Sequence, residues 1–249
     1  MVNVLIADDN LFYARNLMNF INKENSNIKV IYITINGEET ILKLNQEENI
    51  DVILLDLKMP KLSGIEVLDM LAEEKKEKYK KSCIVISGEI DMISQIIQNE
   101  FVYSYILKTS DFTKIVNQIN WLIEQKEAIK YDKYISKTIY EELCLLNFNF
   151  SHIGTKYLAD TIYILVKSNV ENLSKEVYPI LSKRYNKSIL NIKCNLYSAV
   201  NSMYYDCESS ILKNYFKFSE DMKPTTKLVA NTISNKIKKI LSNMQENLS

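Results

Sequence analysis

The sequence predicts a doubly wound α/β domain built on a five-stranded parallel sheet, followed by an all-α domain. Three observations carry this expectation. Short, continuously apolar runs recur through residues 1–125, amphipathic stretches separate them, and beyond Trp121 only helical periodicity remains.

The apolar runs are Val2–Ala7, Ile28–Ile33, Val52–Leu55, Cys83–Ile86 and Tyr103–Leu107. Each is short and apolar throughout, which marks a strand covered on both faces. Between them the pattern turns helical, with Phe12, Leu17, Phe20 and Ile21 on one face of the first helix and Ile115, Ile119, Leu122 and Ile123 on the last. Glu124–Lys133 is polar and reads as the continuation of the last of these helices into a linker at 126–134. From residue 135 to 243 the periodicity predicts helices at Ser136–Leu146, Ile153–Lys167, Lys175–Tyr185, Ile189–Tyr204, Glu208–Phe216 and Thr225–Asn243, with residues 244–249 as a tail. Ser174 and Ser188 stand where N-caps are expected, since a hydroxyl there accepts an unpaired first-turn amide.

Composition narrows the function classes. Hydrophobic residues make up 47% of the 249 positions and charged residues 25%, the balance of a soluble globular protein. No apolar run approaches the roughly 20 residues of a membrane span, and residues 1–7 lead into a strand rather than a signal peptide, so a cytoplasmic protein is expected. The scattered Cys83, Cys144, Cys194 and Cys207 show no metal or redox spacing. Scarce Gly and Pro with abundant Asn, Ile, Lys and Tyr suggest an AT-rich genome. The net charge of zero hides an asymmetry: residues 1–126 hold 14 basic and 19 acidic side chains, residues 127–249 hold 17 and 12. An acidic half before a basic half suits a metal or phosphate switch joined to a nucleic-acid binder.

Polar residues end the apolar runs at particular places. Asp8 and Asp9 follow the first strand, Asp56 the third, Ser87 the fourth and Lys108 the fifth. In a doubly wound sheet these positions share the carboxyl edge, where such folds place their sites. Clustered carboxylates repel one another, so a compensating cation is implied, and hard oxygen ligands with room for water suit Mg²⁺. The metal and Lys108 would neutralise an incoming phosphoryl group while Asp56 attacks phosphorus and Ser87 bonds a phosphoryl oxygen.

This constellation resembles the receiver domain of two-component response regulators, a flavodoxin-like fold. The matching text is VLIADDN at 4–10, DVILLDLKMPKLSG at 51–64, IVISG at 84–88 and YILK at 105–108. The resemblance implies that Asp56 is the phosphoacceptor and, with Asp9, a direct Mg²⁺ ligand. Asp8 would act mainly through water, and the Lys58 carbonyl would complete the set. It places Tyr105 at the aromatic switch position coupled to Ser87, and fits Pro60 and Gly64 to the turn after the acceptor. Thr109 departs from the pattern, which has proline after the lysine, so a looser loop is expected. Lys58 and Glu89 flank the mouth of the site. They either pair across the phosphoryl group and obstruct the attacking water, or are two solvated side chains.

In the second half, SKEVYPILSKRYN and SILNIKCNLYSAVNSMYY flank a turn near Asn186–Lys187, giving a helix-turn-helix over about 174–205. Ile189, Ile192, Leu196, Ala199, Val200 and Met203 form the expected apolar face. Ser188, Asn191, Lys193, Asn195, Tyr197 and Ser198 lie outside, and Lys183, Arg184 and Lys187 could meet phosphates. Residues 135–240 resemble the output domain of the sporulation initiation regulators of spore-forming Firmicutes, through HIGTKYLADTI at 152–162, VYPILSKRYN at 177–186 and KPT at 223–225. That resemblance adds Lys223 to the DNA-contact candidates. The recognition positions differ, however: Asn191, Lys193, Cys194 and Tyr197 stand where that family carries arginines and a glutamate. A different DNA sequence, with Asn191 and Asn195 as candidates for adenine, or loss of specific reading follows. His152 is expected to cap or pack a helix, and Trp121 to lie in the core.

The expected function is a DNA-binding transcription regulator without a separate enzymatic substrate, linked to sporulation or stationary-phase control. A histidine kinase or phosphotransferase would phosphorylate it, and it would then homodimerise. The alternative is a protein-interaction regulator that antagonises or heterodimerises with a sporulation regulator without reading DNA.

Overall fold

The computed structural model describes residues 1–88, 92, 96, 98–168, 170, 172–218 and 222–246. The chain divides into two compact units, Met1–Glu127 and Ala128–Ser249.

The first unit runs β1 (Val2–Ala7), α1 (Leu11–Glu24), β2 (Ile28–Thr34), α2 (Gly37–Gln46), β3 (Val52–Leu55), α3 (Gly64–Glu73), β4 (Cys83–Ser87), β5 (Val102–Leu107) and the start of α4 (Phe112–Leu145). The five strands pair in parallel in the order β2-β1-β3-β4-β5. Period-2 alternation sends each strand's residues to two cores. Leu5, Ile53, Leu55, Cys83 and Val85 meet Ile41, Leu44, Val67, Leu68 and Leu71 of α2 and α3. Val4, Ile6, Val52, Leu54, Ile84 and Ile86 meet Ala14, Leu17 and Ile21 of α1 and Ile115, Ile119 and Leu122 of α4. Burial on both faces is why the runs are apolar throughout.

Two expectations in this unit are corrected. Trp121 is 53% exposed and Phe12 78% exposed, so neither is a core residue; Ala14 takes the buried place beside Leu17 and Ile21. Segment 126–134 is helical from end to end within α4, in line with the expected continuation of the last helix, because EQKEAIKYDK contains good helix formers and no Gly or Pro. Glu89 lies outside the described residues.

The second unit holds the end of α4, then α5 (Ile153–Lys167), a π-helical turn (Leu173–Val177) leading into α6 (Tyr178–Tyr185), α7 (Ile189–Asp206), α8 (Ser209–Phe216) and α9 (Thr226–Glu246). Their apolar stripes form one core that includes Ile139, Leu158, Leu181, Leu196, Phe216 and Ile233. His152 caps α5, its Nδ1 accepting the Gly154 amide at 3.0 Å. Asn172, not Ser174, caps the π-helical turn: its side-chain oxygen accepts the Ser174 and Lys175 amides, which leaves Ser174 in the first turn. Ser188 caps α7 by accepting the Asn191 amide at 3.2 Å. Asn186 makes the reversal before it, at φ 50°, a left-handed conformation that asparagine tolerates better than most residues. Ile189, expected in the buried face of α7, is 38% exposed because it lies in the first turn, ahead of the packed stretch from Ile192. The tail expected from residue 244 is helical as far as Glu246.

Gly154 allows α5 to meet α7 closely. A Cβ there would stand 2.0 Å from the Asn195 carbonyl oxygen and 2.9 Å from the Ala199 Cβ, whereas one at Gly88 would meet nothing within 4 Å among the described residues. Gly154→Ala is therefore expected to lower unfolding stability by about 1–3 kcal/mol in denaturant titrations, while Gly88→Ala leaves it within about 0.5 kcal/mol.

Candidate functional site

The site is assembled by extending the sheet one residue past its strands. The Asp8 amide donates to the Thr34 carbonyl at 2.9 Å, the Asp56 amide to Ala7 at 2.8 Å and the Lys108 amide to Ser87 at 3.1 Å. Each of these residues thus continues a parallel ladder, and its side chain emerges at the carboxyl edge. Ser87 ends β4 and is buried.

Lys108 ties the cluster together. Its Nζ lies 2.6 Å from Asp56 Oδ2 and 2.9 Å from Asp8 Oδ2; the two carboxylate side chains are 3% exposed and the lysine 24%. The second oxygens face backbone amides: Asn10 donates to Asp8 Oδ1 at 2.9 Å, and Lys58 approaches Asp56 Oδ1 at 3.4 Å. Asp9 is exposed, and ligand oxygens of Asp8, Asp9 and Asp56 lie within 4.8 Å of one another. Three carboxylates so close offer a hard-oxygen donor set that fits a divalent cation such as Mg²⁺.

Burial pushes the Asp8 carboxyl above its ordinary value, against the hydrogen bonds from Lys108 and Asn10 that favour the anion. Burial pulls Lys108 down, but its hydrogen bonds to Asp56 and Asp8 outweigh that and leave it raised. Tyr13, at the first turn of α1, is pushed up to about 12, by burial and then by the Asp8 charge. Tyr13 was not legible as a site residue from sequence, yet its ring lies 5.3 Å from Lys108 Nζ. The available signal was its place one turn after the Asp8–Asp9 pair.

The loop after Asp56 is fixed by close backbone approaches. Gly64 donates to the Leu57 carbonyl and Gly37 to the Leu62 carbonyl, each at 3.0 Å. A Cβ on Gly64 would stand 2.2 Å from the Asp56 carbonyl oxygen. The Tyr105 hydroxyl donates to the Ser87 carbonyl at 3.3 Å, which links the two residues expected to switch together. After Lys108, the Ser110 amide closes a turn on the Leu107 carbonyl at 2.8 Å, with Thr109 exposed.

Residues 4–120 match the family model of the response regulator receiver domain. This first half is a response regulator receiver domain. A response regulatory protein of Vibrio cholerae, itself uncharacterised, is 29% identical over 131 residues, or 53% of this chain and 52% of that protein. The transcriptional regulatory protein BtsR of Escherichia coli is 29% identical over 126 residues, 51% of this chain and 50% of that one. The matches thus span about half the length of these curated relatives. Among solved structures, the receiver domain of Francisella response regulator 1452 is 23% identical, with a TM-score of 0.44, covering 51% of this chain and 99% of that one.

In the second unit the residues singled out from sequence are largely engaged with one another. Asn195 Nδ2 donates to the Asn191 carbonyl and side-chain oxygens at 2.9 and 3.1 Å. Lys193 Nζ lies 5.6 Å over the Tyr178 ring. Lys223 Nζ donates to the Tyr197 hydroxyl at 3.2 Å and to the Asn201 side chain. Lys183, Lys187 and Ser188 are exposed. Arg184 pairs with Asp160 at 2.7 Å, and Tyr185 bonds the same carboxylate oxygen. Sequence spacing could not reveal Asp160 as that partner, because it stands on α5. Among the described residues no helix is long and apolar enough to cross a membrane.

The raised Asp8 sets a sign for pH dependence. Folding binds the proton more tightly than the unfolded chain does. This group's favourable contribution is therefore full below the ordinary value of 3.8 and lost as pH rises through the raised one. Without divalent cations, Asp8→Asn is expected to raise the thermal midpoint at pH 7, with the advantage shrinking towards pH 4; a difference independent of pH contradicts this.

Proposed function

We propose that this protein is a phosphorylation-controlled response regulator whose helical second half binds DNA and regulates transcription. The observation that carries the reading is Lys108 held between two buried carboxylates at the carboxyl edge of a receiver domain, 2.6 Å from Asp56. Asp56 is the phosphoacceptor. Its carboxylate oxygen forms the new P–O bond as the bond from phosphorus to the donor breaks, and the donor, a histidine kinase or phosphotransferase, leaves with the electron pair.

Asp9, Asp56 and the Lys58 carbonyl would hold Mg²⁺ directly and Asp8 through water; when bound, the ion supplies positive charge beside the phosphoryl oxygens. Lys108 neutralises further charge there, and Ser87 bonds a phosphoryl oxygen. The Tyr105–Ser87 contact supports a switch that reshapes the surface around β5 and favours homodimerisation. In the second unit, α6 and α7 act as a helix-turn-helix. Lys183, Lys187 and Lys223 meet phosphates, and Ser188, Asn191, Lys193, Asn195 and Tyr197 face the bases. Arg184 is a weaker candidate, since Asp160 already holds it. A link to sporulation or stationary-phase control rests on the sequence resemblance of this half.

A second reading is favoured by the face of α7. Leu190 is 70% exposed and Tyr197 62%, and apolar groups there suit a protein partner better than a phosphate backbone. In that reading the chain antagonises or heterodimerises with another regulator without reading DNA.

With acetyl phosphate and Mg²⁺, the wild type is expected to gain one phosphoryl group by intact-protein mass spectrometry, and Asp56→Ala none. Binding is then measured across genomic fragments at physiological salt. Selective binding lost in Asp56→Ala establishes the switched transcription factor, and no selective binding by either protein moves the assignment to the partner-binding regulator. If α7 reads bases, Asn191→Ala costs about 1–3 kcal/mol of specific affinity in fluorescence titrations.

A further inference from the structure

We infer that Tyr13 is a positioning residue for phosphoryl transfer: its ring holds the Lys108 ammonium over the carboxylate pair. The inference rests on the phosphoacceptor reading of Asp56 and adds a residue that reading does not use.

The placement of Tyr13 is built from the site itself. Asp8 Oδ1 accepts the Asn10 amide at 2.9 Å, and Asn10 Oδ1, as the N-cap of α1, accepts the Tyr13 amide at 3.0 Å. Two successive hydrogen bonds therefore connect the carboxylate to the backbone that carries the ring. On the side chain, Phe112 packs edge-on at 5.4 Å and is backed by Phe20 at 5.7 Å. The ring is thus fixed from α1 and from the start of α4. Lys108 Nζ lies 5.3 Å from its centroid, within the range in which a ring's negative face attracts a cation.

The hydroxyl shows which part of Tyr13 matters. It is buried and, among the described residues, has no hydrogen-bond partner. A buried, unbonded hydroxyl costs stability, so the contact worth keeping is made by the ring.

Lys108 needs such a support for a chemical reason. In the resting site its position is set by Asp56 and Asp8. Once an Asp56 oxygen becomes an acyl phosphate ester oxygen, the carboxylate charge that held Nζ moves outward onto the phosphoryl group. The ammonium must follow it by a short distance without swinging into solvent, to which the side chain is already 24% exposed. A ring attracts the cation without a directional bond, so it can hold Nζ in both arrangements.

The test compares Tyr13→Leu, which removes the ring, with Tyr13→Phe, which keeps it, and with Phe20→Leu, which loosens the same aromatic cluster away from Lys108. Phosphoryl uptake from acetyl phosphate with Mg²⁺ is followed by intact-protein mass spectrometry. Lysine reactivity towards a small acylating reagent is mapped by peptide mass spectrometry. Tyr13→Leu is expected to take up phosphate about fivefold more slowly, the factor given by about 1 kcal/mol at 1.36 kcal/mol per tenfold, and to label faster at Lys108. Tyr13→Phe should stay within about twofold of wild type in both and unfold at an equal or higher temperature. Phe20→Leu should lose stability without slowing uptake.

Uptake by Tyr13→Leu at the wild-type rate, unchanged Lys108 labelling in that variant, or a Tyr13→Phe protein as slow as Tyr13→Leu each overturns the inference. Failure of the wild type to take up phosphate at Asp56 overturns the phosphoacceptor reading instead, and the inference with it.

Discussion

The first half of this molecule is organised around charge confined to a sheet edge. Asp8 and Asp56 are almost wholly buried side by side, and Asp9 stands close enough to share a cation with them. Two such carboxylates cannot both stay ionised in a low-dielectric setting without positive charge between them. Lys108 provides that charge by reaching across from β5, which lies two strands from β3 and three from β1 in the sheet. Strand order, crossover helices and the turn after β5 all act to bring one ammonium to two carboxylates.

The rest of the unit holds that arrangement in place. Apolar layers on both faces of the sheet fix the strand ends, and the parallel ladder runs through Asp8, Asp56 and Lys108 themselves. Gly64 and Gly37 let the loop beyond Asp56 fold back to within contact of that residue's own backbone. The N-cap of α1 is wired to Asp8 through Asn10. Burial that raises Asp8 makes the ionisation of this one carboxyl a cost at neutral pH, while the bonds that raise Lys108 act in the opposite sense.

Much of this was legible in the sequence, because the signals are local. Runs such as Val52–Leu55 are apolar throughout since both faces are covered, and a polar residue directly after such a run must sit at the strand end. Helices of the second unit announce themselves by three- and four-residue spacing. What escaped depends on groups distant in sequence. Tyr13 meets Lys108 because α1 packs beside the end of β5, and Arg184 meets Asp160 because α6 packs on α5. Trp121 and Ile189 fit an apolar periodicity, yet each stands at a position that its neighbours leave uncovered. Ser174 lost its capping place to Asn172 because a π-helical turn starts the helix earlier than the α-periodicity implied.

The ladder bonds at Asp8, Asp56 and Lys108 have a consequence for how the site fails. Their amides are bonded to the ends of β2, β1 and β4, so the backbone of the site cannot open without fraying the strands that carry it. Local opening in proteins is cheapest where few core contacts are lost and dearest in central strands. The Asp56 backbone therefore belongs with the slowest-exchanging part of the first unit, although it lies at the end of its strand. On warming, the arrangement of Lys108 between its two carboxylates should persist until the sheet itself melts, rather than fade gradually as the surrounding loops loosen.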